Sequence, residues 1–195
     1  MKKLFAVLVV IVLVASFAFA QVGKGYGPKV QLNLATIGGD NTSSAKTKAL
    51  IGFGGFMIMS CCTNLDIQSE LMYEQKGCDI NGGNSLKLSY TTATVLAKYT
   101  FPIEGMIKPL IFAGPTAGIL VTATQNPGSV DKFNNFEGLD YGLVFGGGVS
   151  TKFGPGDILF DVRYNLGLAN ILKVGGSKYK QTNQVIGVSL GYVFM

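Results

Sequence analysis

The sequence predicts an all-β fold: an eight-stranded antiparallel up-and-down transmembrane β-barrel of the small outer-membrane-protein type. Three observations carry that prediction. Apolar and polar side chains alternate with a period of two from Lys29 onward, and no stretch of a dozen residues shows a helical period. The segments so marked number eight, and long and short connections alternate between them. Charged residues are only 14% of the 195, while Gly reaches 27; a soluble domain carries about 25% charged residues.

Residues 1–20 are expected to be a signal peptide, with the barrel domain occupying residues 21–195. Lys2 and Lys3 give a positive start, Leu4 to Ala18 an apolar run, and Ala18-Phe19-Ala20 a small-x-small cleavage site. The run is short for a spanning helix, which needs about 18 residues or more. Without Lys2 and Lys3 the formal charge falls from +5 to +3. No Lys/Arg cluster marks a nucleic-acid partner.

Strand one is expected over Lys29 to Thr36, with Val30, Leu32 and Leu34 opposing Lys29, Gln31 and Asn33. The glycine-rich second strand, Lys48 to Ser60, is read with Ile51, Phe53, Met57 and Met59 outward. Strand three, Leu65 to Gly77, sets Leu65, Ile67, Leu71 and Tyr73 against Asp66, Gln68, Glu70 and Glu74. Strand four, Leu86 to Phe101, changes phase: Leu86, Leu88 and Tyr90 share one parity, Ala93, Val95, Ala97 and Tyr99 the other. A bulge near Thr91 or Thr92 explains this, and so does an upper half standing clear of the membrane.

Strand five, Lys108 to Ala123, points Ile111, Ala113, Pro115, Ala117, Ile119 and Val121 outward, with a bulge expected at Pro115 because proline donates nothing to the ladder. Strand six, Glu137 to Phe153, sets Leu139, Tyr141, Leu143, Phe145 and Val149 against Asp140, Gly142, Gly146, Gly148 and Lys152. Strand seven, Ile158 to Leu168, sets Phe160, Val162 and Tyr164 against Asp161, Arg163 and Asn165. Strand eight begins near Lys178 and alternates from Ile186 to Phe194. Its outward span of nine residues matches the about 9–11 that a tilted membrane strand needs.

Two groups of site residues follow. Backbone groups in hydrocarbon must all be paired, so the strands close into a cylinder, and eight strands leave an interior that side chains fill. Glu70, Glu74, Lys98, Asp140, Lys152, Asp161 and Arg163 then form an interior polar network, with Arg163 pairing one or more of Glu70, Asp140 and Asp161. Phe101, Phe153 and Phe194 each end a strand on the periplasmic side, where an outward aromatic girdle is expected. No catalytic, cofactor or metal residues are expected. The chain has no His, the usual base of a hydrolytic site, and Cys61, Cys62 and Cys78 do not make a zinc set.

Several stretches resemble a known family. They are Gly27-Pro28-Lys29, Leu65 to Gly77, Leu110 to Pro115, Asp140-Tyr141-Gly142 through Gly148, and Arg163 to Ile171. Together they resemble the outer-membrane β-barrel domain family, which includes PorT-like and small porin-like proteins of Gram-negative bacteria. The resemblance implies the eight-stranded fold and the cell outer membrane, and carries no activity with it. Outer-membrane barrels of this kind usually end on an aromatic that resembling families present to the barrel-assembly machinery, whereas here Met195 follows Phe194.

The expected role is therefore that of an integral outer-membrane barrel, porin-like, with a structural, adhesive or loop-mediated binding role. Its expected partners are outer-membrane lipid, the assembly machinery at the C-terminal strand, and an extracellular ligand at the long loops. A soluble lipocalin-like ligand carrier, which would place its apolar face inside, and an outer-membrane enzyme are the alternatives.

Overall fold

The computed structural model describes residues 23–39, 45–80, 84–126, 138–170 and 181–194. Eight long strands form the fold: β1 Gly23–Gly39, β2 Lys48–Cys62, β3 Leu65–Ile80, β4 Asn84–Thr100, β5 Ile107–Asn126, β6 Leu139–Phe153, β7 Gly156–Gly167 and β8 Gln181–Phe194. Each pairs antiparallel with its sequence neighbour, and β1 pairs with β8 to close the cylinder. In the closing seam Gln31 faces Ser189 and Leu32 faces Val188. A two-residue strand, Ala45–Lys46, adds to the upper edge of β3. The predicted signal peptide lies outside the described residues.

Alternation dictates the two faces. Val30, Leu32, Leu34, Ile51, Phe53, Leu71, Leu143, Phe145, Phe160, Val162, Ile186 and Leu190 are exposed on the outside. Lys29, Gln31, Asn33, Gln68, Glu70, Asp140, Asp161 and Arg163 are buried within. A carrier barrel in water would have the opposite arrangement, so the lipocalin-like alternative is discarded.

The tight turns share one end. Asn64 and Gly154 adopt left-handed φ of 62° and 61°, a region open to Asn and Gly at low steric cost. The chain's described ends, Gly23 and Phe194, lie at this end as well, on the strands that close the barrel.

Four expectations are corrected. β4 keeps a single parity throughout, burying Leu86, Leu88, Tyr90, Thr92, Thr94, Leu96 and Lys98. Its outer face instead turns polar above Ala93, at Thr91 and Lys87, so the upper part stands clear of the apolar belt. The bulge lies on the neighbouring strand: Ser89 faces Thr122 and Tyr90 faces Leu120, which leaves Val121 as the extra residue of β5. Pro115 carries no bulge. It faces Leu143 in an unbroken register, and across β4 the ladder resumes in the same register at Thr94–Thr116 and Ala97–Ala113.

Finally, the β3–β4 connection is not one of the long ones. The ladder runs up to Ile80–Asn84, so polar residues read as loop are paired backbone. β5 likewise continues to Asn126, beyond its last β6 pair at Ile119–Leu139. Among the described residues, β3, β4 and β5 thus continue past the last β6 pair as a wall on one side of the barrel. β8 begins at Gln181 among the described residues, and the expected start near Lys178 lies outside them.

Candidate functional site

Among the described residues charged side chains converge in the barrel interior, and the arrangement is layered. At the end with the tight turns, Lys24 reaches Asp66 at 3.0 Å and Ser60 donates to Asp66 at 3.2 Å. Lys98 donates to Gln68 Oε1 at 3.1 Å, and Gln68 in turn donates to Glu70 at 2.6 Å. A mouth of about 350 Å³ opens here, walled by Ile58, Leu110, Leu159 and Val193.

Above the mouth sits the central cluster. Arg163 donates Nη1 to Glu70 Oε2 at 2.6 Å and Nε to Asp161 Oδ1 at 2.8 Å, and Nη2 bonds both carboxylates at 3.1 Å. Lys29 Nζ bridges the same two acids at 2.8 Å each. Two cations meet two carboxylates, so the cluster is neutral, and each member is at most 3% exposed. A carboxylate out of water persists only when its lone pairs are satisfied; here the bidentate guanidinium and the ammonium supply the donors. Phe112 lies under the Arg163 guanidinium at 5.1 Å and Phe56 under Lys29 at 5.9 Å, placing each cation over a ring face.

Inward glycines make room for this layer. A Cβ on Gly187 would meet Arg163 Cγ at 3.0 Å, and one on Gly191 would meet Phe56 Cε1 at 2.9 Å. One on Gly146 would meet Phe112 Cζ at 2.8 Å.

A second cluster lies higher. Lys76 reaches Asp140 at 3.1 Å and Glu74 at 3.8 Å. Asn183 donates to Asp140 Oδ2 at 3.0 Å, and Gln31 to Glu74 at 3.3 Å. Above it, Ile37, Cys78, Leu86, Leu88, Tyr90, Leu120 and Ala123 form an apolar cap inside the raised wall. That cap explains why apolar residues on β4 share the inward parity.

Six of the seven predicted network residues are therefore inside, but in three groups. Glu70, Asp161 and Arg163 form the centre, Glu74 and Asp140 belong to the upper cluster, and Lys98 serves the mouth. Asp140 pairs with Lys76 rather than Arg163. Lys152 does not join them: it keeps the inward parity but stands exposed at the rim, one residue from the end of β6. The reading from sequence left out Lys29 and Lys76, although both share a parity with residues it placed inside.

Phe101, Phe153 and Phe194 are all exposed at the end with the tight turns. Phe101 lies just past β4, its ring 5.3 Å from Tyr99. Phe194 packs at 5.9 Å from Tyr26 and 4.9 Å from Tyr192. Tyr192 donates its hydroxyl to the Phe153 carbonyl at 3.2 Å. Tyr26, Tyr99 and Tyr192 thus join the three phenylalanines, as a girdle with one end apolar and one wet requires.

Cys61 and Cys62 are exposed at the end of β2 with sulfurs 3.8 Å apart, and the hydrogen bond and charge of Cys62 push the Cys61 thiol up. Cys78 is buried within the cap. Among the described residues no three His, Cys, Asp or Glu side chains are placed to hold a metal.

The comparisons agree with this architecture. The family described as outer membrane protein beta-barrel domain matches residues 19–173. Among solved structures the chain is similar to Neisserial surface protein A, at 16% identity and a TM-score of 0.59, covering 88% of this chain and 97% of that one. It also aligns with outer membrane protein W of E. coli (15%, TM-score 0.49, 86% and 98%). A third alignment is with Ail, the attachment invasion locus protein of Yersinia pestis (12%, TM-score 0.46, 87% and 98%). No curated protein matches the sequence.

Proposed function

We propose, from the premise that this chain belongs to the outer membrane protein beta-barrel domain family and resides in the cell outer membrane, that it is a sealed barrel acting through its extracellular face. On this reading it is a non-enzymatic scaffold whose raised wall and loops bind a partner outside the cell.

The observation that supports this is the filled interior. A solute entering from the periplasmic mouth would meet the neutral cluster of Lys29, Glu70, Asp161 and Arg163, then the Lys76 cluster, then the apolar cap. Each layer spans the lumen of an eight-stranded barrel, whose interior is only as wide as its side chains. The wall supports the second half of the proposal. Its outer face above the apolar belt carries Gln75, Lys87, Thr91 and Thr124, residue types suited to water. Its inner face is packed, and binding residues are most often presented by loops held on a rigid scaffold.

Planar-bilayer conductance of the refolded protein tests the proposal. A sealed barrel gives no stable openings; reproducible solute-permeable channels would restore the porin reading.

A further inference from the structure

We infer that the cavity beside Asp140 is a binding site for one monovalent metal cation of about sodium size, coordinated by Asp140 Oδ1, Asn165 Oδ1 and Asn183 Oδ1.

The charge of the upper cluster is the first reason. Lys76 faces both Glu74 and Asp140, so one ammonium meets two carboxylates and a negative charge remains uncompensated. All three are at most 5% exposed. The central cluster lower down is balanced, two against two. A buried net charge is costly unless a counter-charge accompanies it.

The second reason is independent of charge. Asp140 Oδ1, Asn165 Oδ1 and Asn183 Oδ1 are buried and have no hydrogen-bond donor. Buried polar atoms are almost always partnered, yet three acceptors here are not, and all three residues line one cavity. The Asn183 amide orientation is fixed by its donation to Asp140 Oδ2, so its oxygen must point elsewhere. The cavity measures about 10 Å³, the low edge of the about 10–15 Å³ that one water-sized occupant needs.

A water supplies two donors, and the Tyr90 hydroxyl beside Asp140 and Asn183, likewise without a partner, supplies a third, but neither brings the missing positive charge. A cation satisfies all three oxygens at once and supplies the missing charge. The donor set is one carboxylate and two amide oxygens, which are hard ligands suited to a hard ion. Calcium takes 6–8 oxygen ligands, and a divalent ion would be repelled more strongly by Lys76.

The test is the thermal unfolding midpoint of the mature barrel in lipid vesicles, in sodium, potassium and choline chloride at equal concentration. Sodium is expected to raise the midpoint over choline by about 3 °C or more, saturably. Asp140→Asn should remove the difference. Asn165→Leu is the second variant, because Asn165 Oδ1 has no hydrogen-bond partner to lose; it should fold and show the same midpoint in every salt. Identical midpoints of the wild type in all three salts would overturn the inference, as would an Asn165→Leu protein that keeps the full sodium shift.

Discussion

Replacing Arg163 with Met probes the interior most sharply. The substitution deletes four charge-assisted hydrogen bonds, two to Glu70 and two to Asp161. Lys29 alone then faces two carboxylates at 2.8 Å each, and the central cluster passes from neutral to a net charge of −1. Breaking a buried pair by removing one partner costs about 3–5 kcal/mol. With a urea slope of about 1–3 kcal/mol/M, the unfolding midpoint should fall by about 1 M or more. The assay is a urea titration of the refolded barrel in vesicles, with the folded fraction read as the fast-migrating band on unboiled gels. Adding Glu70→Gln should recover much of the loss, because Lys29 and Asp161 then balance each other. An Arg163→Met barrel with an unchanged midpoint would refute the reasoning. So would a double variant whose loss equals the sum of the two single losses, since residues in one network do not add.

Two further predictions concern the outer face and the glycines. Leu190→Arg sits in the apolar belt between Val30 and Phe160 and should cost about 2–4 kcal/mol near the midplane. Thr91→Arg, at the foot of the raised wall, should change stability by about 0.5 kcal/mol or less; equal costs in urea titrations would mean that the belt is misplaced. Gly146→Ala would bring a Cβ to 2.3 Å from the Val162 carbonyl oxygen and 2.8 Å from Phe112 Cζ, so overpacking should cost about 1–3 kcal/mol. A Gly146→Ala midpoint at the wild-type value would show that the interior has slack there.

Strand facing was legible wherever the two faces differ in kind. Along β8, Ile186, Val188, Leu190, Tyr192 and Phe194 read directly as the outer face, and Asp161 and Arg163 on β7 read as inner. Parity says which face a residue takes but not how far along the cylinder it lies. That is why Lys152 was grouped with Arg163 although it sits at the rim. Height also governs what each face should look like: above the belt the outer face is polar and the inner one apolar, so Leu86, Leu88 and Tyr90 mimic a phase change that β4 does not make.

The partners of each charge were less legible than its side. Arg163 was matched to Glu70 and Asp161, but Asp140 belongs to Lys76, a residue on β3 that faces it across the lumen. Pairing across a barrel interior depends on stagger between strands distant in sequence, which a period of two does not encode. Lys29 was placed on the inner face of strand one but not among the network. The pattern ends strand three at Gly77 and starts strand four at Leu86, yet the residues between continue the ladder as far as Ile80–Asn84.

The account rests on a closed cylinder folded into the outer membrane. Electrophoresis of outer-membrane fractions with and without boiling measures that most directly. The protein should sediment with the outer membrane, migrate fast when unboiled, and shift to its full apparent mass on heating. A protein found free in the periplasm, with the same mobility before and after boiling, would contradict the account.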